Sequence, residues 1–109
     1  MKKKILTAMT KLEGDYSLSG YKYLCEAVEL VCSTEQHIPT CTIYNDVAKK
    51  YNTTGSRVER AIRHFISRTL NYGNFQFLTS IIRWNPDKSN PTNSQVIYGL
   101  VEYIRREEL

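Results

Sequence analysis

Arg57, Arg60, Arg63 and His64 recur at three- and four-residue steps, spacing that places side chains on one face of a helix. A guanidinium donates paired N–H groups to phosphate oxygens, or to O6 and N7 of guanine, so the chemistry on offer is anion and base-edge recognition. The window from Lys49 to Arg68 holds six Lys/Arg and one acid, Glu59, a formal +5; the whole chain is +4, so the remainder is −1. A positive excess confined to one element is the electrostatic footprint of a surface that meets phosphate.

Roles follow from chemistry and position. Arg57, Arg63 and His64 are candidates for phosphate, as are Thr54 and Ser56 with the free backbone N–H groups at the helix start. Arg60 is placed to read guanine with two parallel bonds. Glu59 costs affinity on a phosphate-facing helix unless it reads something, and its acceptor-only carboxylate suits the amino group of cytosine. The alternative for Glu59 is a salt bridge that orients Arg63 or Arg60.

Projecting this helix at about 100° per residue from Arg57 puts Phe65, Val58, Thr69, Ile62 and Ile66 in an arc of about 80° to 180°. Arg63, Ser67, Arg60, His64 and Arg68 fall with Arg57 in the arc from about 240° to 20°, and Glu59 lies at the boundary. The reading is a helix with a core face and a cationic face, with no acids at i to i+4 spacing to neutralise the stripe.

Such a helix must be set at a steep angle to the one before it. Ala48 is small where the two would approach. Asn52 is one of the few non-glycine residues that tolerates the left-handed turn conformation. Val58, ten residues beyond Ala48, returns to the core. The periodicity elsewhere is helical throughout: Lys2–Leu12 with Ile5, Leu6, Met9 and Leu12; Gly20–Cys32, capped by Ser19; Ile43–Tyr51, capped by Thr42. A helix over 55–72 follows, stopped by a left-handed Gly73, then Phe75–Ile82. The last helix opens on a Thr92/Gln95 capping box, carries Val96, Leu100, Val101 and Ile104, and ends in Arg105-Arg106-Glu107-Glu108. The expected fold is all-α, one six-helix domain over residues 1–109 containing a helix-turn-helix in the third and fourth helices.

Other classes have little support. No apolar run approaches the roughly 20 residues of a membrane span, and the Lys2–Leu12 segment is amphipathic rather than a signal peptide. Without an export signal, the three cysteines are expected to be reduced thiols in a cytoplasm. Cys25, Cys32, His37 and Cys41 lack the tight pairs of a zinc site, so no metal or cofactor is expected. No glycine-rich phosphate loop and no acid–base pair points to an enzyme.

Four blocks carry a closer likeness: 20–24 (Gly-Tyr-Lys-Tyr-Leu), 46–54 (Asp-Val-Ala-Lys-Lys-Tyr-Asn-Thr-Thr), 56–64 (Ser-Arg-Val-Glu-Arg-Ala-Ile-Arg-His) and 90–94 (Asn-Pro-Thr-Asn-Ser). In order and across nearly the whole chain, the sequence resembles the C-terminal effector domain of the stage-zero sporulation response regulator of endospore-forming Firmicutes. The resemblance implies a six-helix fold that binds double-stranded DNA at elements of the TGTCGAA type and controls transcription. It also implies tandem self-association on DNA, base contacts by Glu59 and Arg60, and a partner in an RNA polymerase sigma factor. That family carries a receiver domain. None is expected within these 109 residues, where Asp15, Asp46 and Asp87 have no phosphoacceptor setting. A receiver-less interaction protein that pairs with a full-length regulator is therefore the alternative function.

Three departures stand out. Gly55 replaces the usual Ala, loosening the first turn of the helix by up to about 1 kcal/mol. The Ser33–Cys41 loop is shorter than usual. Phe75–Trp84 is more apolar than a polymerase-facing helix needs, and reads first as extra core and second as a protein interface.

Overall fold

A computed structural model describes residues 2–107. Among them the chain forms six helices and no strand: α1 Lys2–Lys11, α2 Ser19–Cys32, α3 Thr40–Tyr51, α4 Gly55–Tyr72, α5 Phe75–Ile81 and α6 Asn93–Glu107. Glu108, expected at the end of the last helix, lies outside the described residues.

Helix α2 is the hub, packing on α1, α3, α4 and α6. Its most extensive neighbour is α4, and the two can approach because Gly20 presents no side chain. A Cβ there would collide with the backbone carbonyl of Ala61. Phe65 of α4 fills the centre, fully buried, with the ring of Tyr21 at 6.0 Å between centroids. Gly14 passes directly under that ring: an added Cβ would sit 2.5 Å from Phe65 Cζ. Gly14 is therefore small for contact, and the left-handed residue that ends α1 is its neighbour Glu13, at φ 52°.

Asn74, between α4 and α5, closes the end of α1. Its backbone N–H donates to Leu12 O at 2.8 Å and its amide to Lys11 O at 3.1 Å. Its carbonyl oxygen accepts from Phe77 N, capping α5. Helix ends leave orphan carbonyls, and here one residue serves two helices. Arg105 of α6 does the same for α2, donating to Val31 O and Thr34 O. The Tyr98 hydroxyl donates to Ile38 O at 2.8 Å, pinning the loop that leads into α3.

Several local expectations are corrected. In α1, Leu6 is 44% exposed and Ala8 takes its place in the core. Leu18, not Ser19, holds the cap position of α2 and makes no side-chain cap bond; the Asp15 carboxylate instead accepts from Ser17 N and Ser17 Oγ. Helix α3 starts at Thr40 after Pro39, so Thr42 lies inside it: Pro39, held at φ −60°, offers its carbonyl to Thr42 N and Ile43 N. Gly73 is not left-handed, at φ −102°. It is glycine because a Cβ would lie 2.7 Å from Leu12 O.

The Thr92/Gln95 box forms reciprocally, with Thr92 N donating to Gln95 Oε1 at 2.8 Å and Gln95 N to Thr92 Oγ1 at 3.1 Å. Helix α5 is divided: Leu78 and Ile81 are buried, while Phe75 is 41% exposed and packs edge-on against Trp84. The core reading of that segment therefore holds for one face only.

Gly20→Ala should lower stability by about 1–3 kcal/mol through overpacking against a backbone atom that cannot swing away. Chemical denaturation reads this directly, and an unchanged midpoint would show that α2 and α4 separate freely.

Candidate nucleic-acid interface

The segment from α3 to α4 is built by three residues of turn. Asn52 takes φ 53°, ψ 50°, the left-handed conformation read from its type, and its N–H and that of Thr53 both donate to Ala48 O. Thr54 is extended and caps α4, its hydroxyl oxygen accepting from Arg57 N at 3.2 Å. That leaves the Thr54 O–H free to donate outward. The helix ladder begins with Val58 N donating to Thr54 O, so the N–H groups of Gly55 and Ser56 have no intrahelical acceptor. Together they form an opening suited to a phosphate oxygen.

The inner and outer faces of α4 divide as the 100° projection requires. Val58, Ile62, Phe65, Ile66 and Thr69 are buried, and Ser56, Arg57, Arg60, Arg63, His64 and Arg68 are exposed. Thr69 satisfies its hydroxyl by donating to Phe65 O at 2.9 Å.

The cationic stripe is less uniform than its sequence. Arg63 Nη2 lies 3.3 Å from Glu59 Oε2, an i,i+4 pair; this is the salt bridge given as the alternative for Glu59, and it corrects the expectation that no acid at that spacing neutralises the stripe. Exposed helix pairs of this kind are worth about 0.3–0.5 kcal/mol, too little to lock Glu59 against a competing base or Arg63 against a phosphate. Lys50 is drawn to α2, where its ammonium meets Glu26 at 2.7 Å, and that hydrogen bond raises its pKa. Arg68 stacks over Tyr72 at 4.7 Å. Near the same end, Asp15 is held below its usual carboxylate range, first by its bonds from Ser17 and further by Arg68 and His64. Among the described residues, Arg57, Arg60 and Lys49 make no side-chain ion pair or hydrogen bond. The unspent positive charge therefore gathers around the first turns of α4.

Arg60 and Glu59 border a concavity of about 330 Å³ shared with Ser56 and with Cys41, Tyr44 and Asn45 of α3. Of these α3 residues only Cys41 falls before the helix expected from Ile43; Tyr44 and Asn45 lie within it, and their approach to α4 is set by how the two helices pack. Asn45 also explains Gly55: a Cβ on Gly55 would meet the Asn45 carboxamide oxygen. The absent methyl makes room for a neighbour, beyond its effect on helix propensity.

The cysteines are dispersed. Cys41 is exposed, Cys32 is half-buried, and burial pushes the half-buried Cys25 thiol up to about 11. No group of three metal-type ligands occurs among the described residues. No helix among them is long and apolar enough to cross a membrane.

Compared with known families, residues 5–104 of the 109-residue chain match the model described as sporulation initiation factor Spo0A C terminal.

Three substitutions test the turn. Thr54→Ala should cost about 0.5–2 kcal/mol by leaving Arg57 N uncapped. Asn52→Val should cost roughly 1–2 kcal/mol because a β-branched residue resists the left-handed conformation, whereas Asn52→Gly should be nearly neutral. Thermal melts that rank valine with glycine would contradict this geometry.

Proposed function

The chain belongs to the sporulation initiation factor Spo0A C-terminal family, one of DNA-binding transcription-factor domains rather than enzymes, and on that premise we propose that it reads a TGTCGAA-like element in the major groove through α4. The observation that carries this reading is the exposed, unpaired Arg60 at the open N-terminal end of a helix whose opposite face is fully buried. A recognition helix presents its first turns to base edges, and those are the turns where charge is left unpaired. The helix-turn-helix is α3, the Asn52–Thr54 turn and α4.

In this reading Arg60 donates to guanine O6 and N7, and Glu59 accepts from a cytosine amino group. Arg57, Arg63 and His64 meet phosphates, together with Thr54, Ser56 and the free N–H groups beside them. Leaving its partner Arg63 costs Glu59 little, so the carboxylate is available to a base once Arg63 turns to the backbone. Two copies bind side by side on tandem sites, and the exposed aromatics Phe75 and Tyr72 (76% exposed) offer a surface to an RNA polymerase sigma factor. Control of transcription follows from where the bound domain stands relative to the polymerase.

The test is fluorescence anisotropy with a TGTCGAA duplex and a scrambled duplex at two salt concentrations. The chain should prefer the first and release several counterions. Arg60→Ala should lose about 1–3 kcal/mol and relax the choice at one guanine. Arg63→Ala should weaken both duplexes alike and flatten the salt slope by about one unit. Equal affinity for the two duplexes would remove the sequence-reading role. No binding at all, with co-purification of a full-length regulator, would replace it with a modulator that pairs with that regulator. Off DNA the chain should sediment as a monomer.

A further inference from the structure

We infer that Asn93 is a positioning residue for base readout, its buried carboxamide fixing the roll and depth of α4 and hence where Glu59 and Arg60 point; the inference rests on the DNA-reading role proposed above. Asn93 is 7% exposed and one of two buried polar residues among those described. The other, Thr69, is satisfied inside its own helix. Asn93 instead reaches 34 positions back along the chain, its Nδ2 donating to Glu59 O at 3.0 Å.

That acceptor needs no second donor to build α4, because the ladder partner of Glu59 O is the N–H of residue 63. Nor is the Asn93 side chain needed to start α6, since Thr92 and Gln95 supply the box. Gln95 Nε2 further ties that box to Arg83 O at 3.3 Å, beyond the end of α5. The bond from Asn93 therefore acts between elements. It runs from a start of α6 that is already fixed to the backbone of the residue proposed to read cytosine. Tyr44 of α3 lies against the same amide: burial raises the pKa of its hydroxyl, and the Asn93 side chain opposes that rise. Three helices thus meet at one carboxamide.

The geometry explains why this matters for reading rather than only for holding. At a helix surface about 5–6 Å from the axis, a roll of about 10° carries a side-chain head by about 1 Å. Productive recognition tolerates about 0.5 Å. A buried amide keeps its hydrogen bond, so α4 can roll or slide only by breaking it.

Asn93→Asp and Asn93→Ala test this with the two duplexes at two salt concentrations, at a temperature where circular dichroism reports helix content. The first keeps the shape but sets an acceptor against the Glu59 carbonyl; the second removes the donor. Both should retain helix content and the wild-type salt slope, while the affinity ratio between the duplexes falls by about tenfold. Wild-type ratios in both folded variants would overturn the inference. Loss of helix content in both would also overturn it, making Asn93 a folding determinant. A wild-type chain that fails to discriminate would instead defeat the underlying DNA-reading role, and the inference with it, before any variant is compared.

Discussion

The close approach of α2 and α4 at Gly20 and Ala61 is the constraint on which the rest of the molecule depends. It lets Phe65 sink to the centre of the core, where Gly14 passes beneath the ring and Tyr21 flanks it. With Val58, Ile62, Ile66 and Thr69 also buried, the inner face of α4 is wholly committed to the core. Helix stability in proteins comes mostly from such tertiary packing. Because that face secures the helix, its outer face can hold Arg57, Arg60 and Arg63 three residues apart despite their repulsion.

Charge on and beside that outer face is sorted partly by residues of α2 and the α1–α2 loop and partly by residues of α4 itself. Glu26 of α2 takes Lys50, Tyr72 takes Arg68, and Asp15 lies toward His64 and Arg68. Glu59 takes Arg63 only weakly. Positive potential is left at the beginning of α4, where the helix dipole and free N–H groups already favour anions. Backbone and side chains thus converge on one end of one helix.

Legibility in the sequence followed the range of the interaction. The inward arc of α4 was readable because a 3.6-residue period needs no knowledge of the partner. Asn52 was readable because few residue types tolerate its conformation, and the Thr92/Gln95 box because both halves lie three residues apart. The start of α3 was misread, since Thr42 resembles a cap while Pro39 supplies the boundary. Leu6 was misassigned because period alone cannot say which edge of an apolar stripe faces a neighbour. The Glu59–Arg63 pair is legible as the alternative role of Glu59, because its two halves lie four residues apart.

The sequence by itself determined the six helices, the left-handed turn and a cationic helix face, because each is set by residues within about one helical turn. Only the tertiary structure decided that Gly14, Gly20 and Gly73 are glycines for clearance, since each faces an atom from a distant segment. It also decided that Asn45 and Cys41 share the concavity beside Arg60, and that Asn93 binds Glu59. Such contacts join positions far apart along the chain. Their geometry exists only once the helices have packed, and the packing is a property of all their faces together.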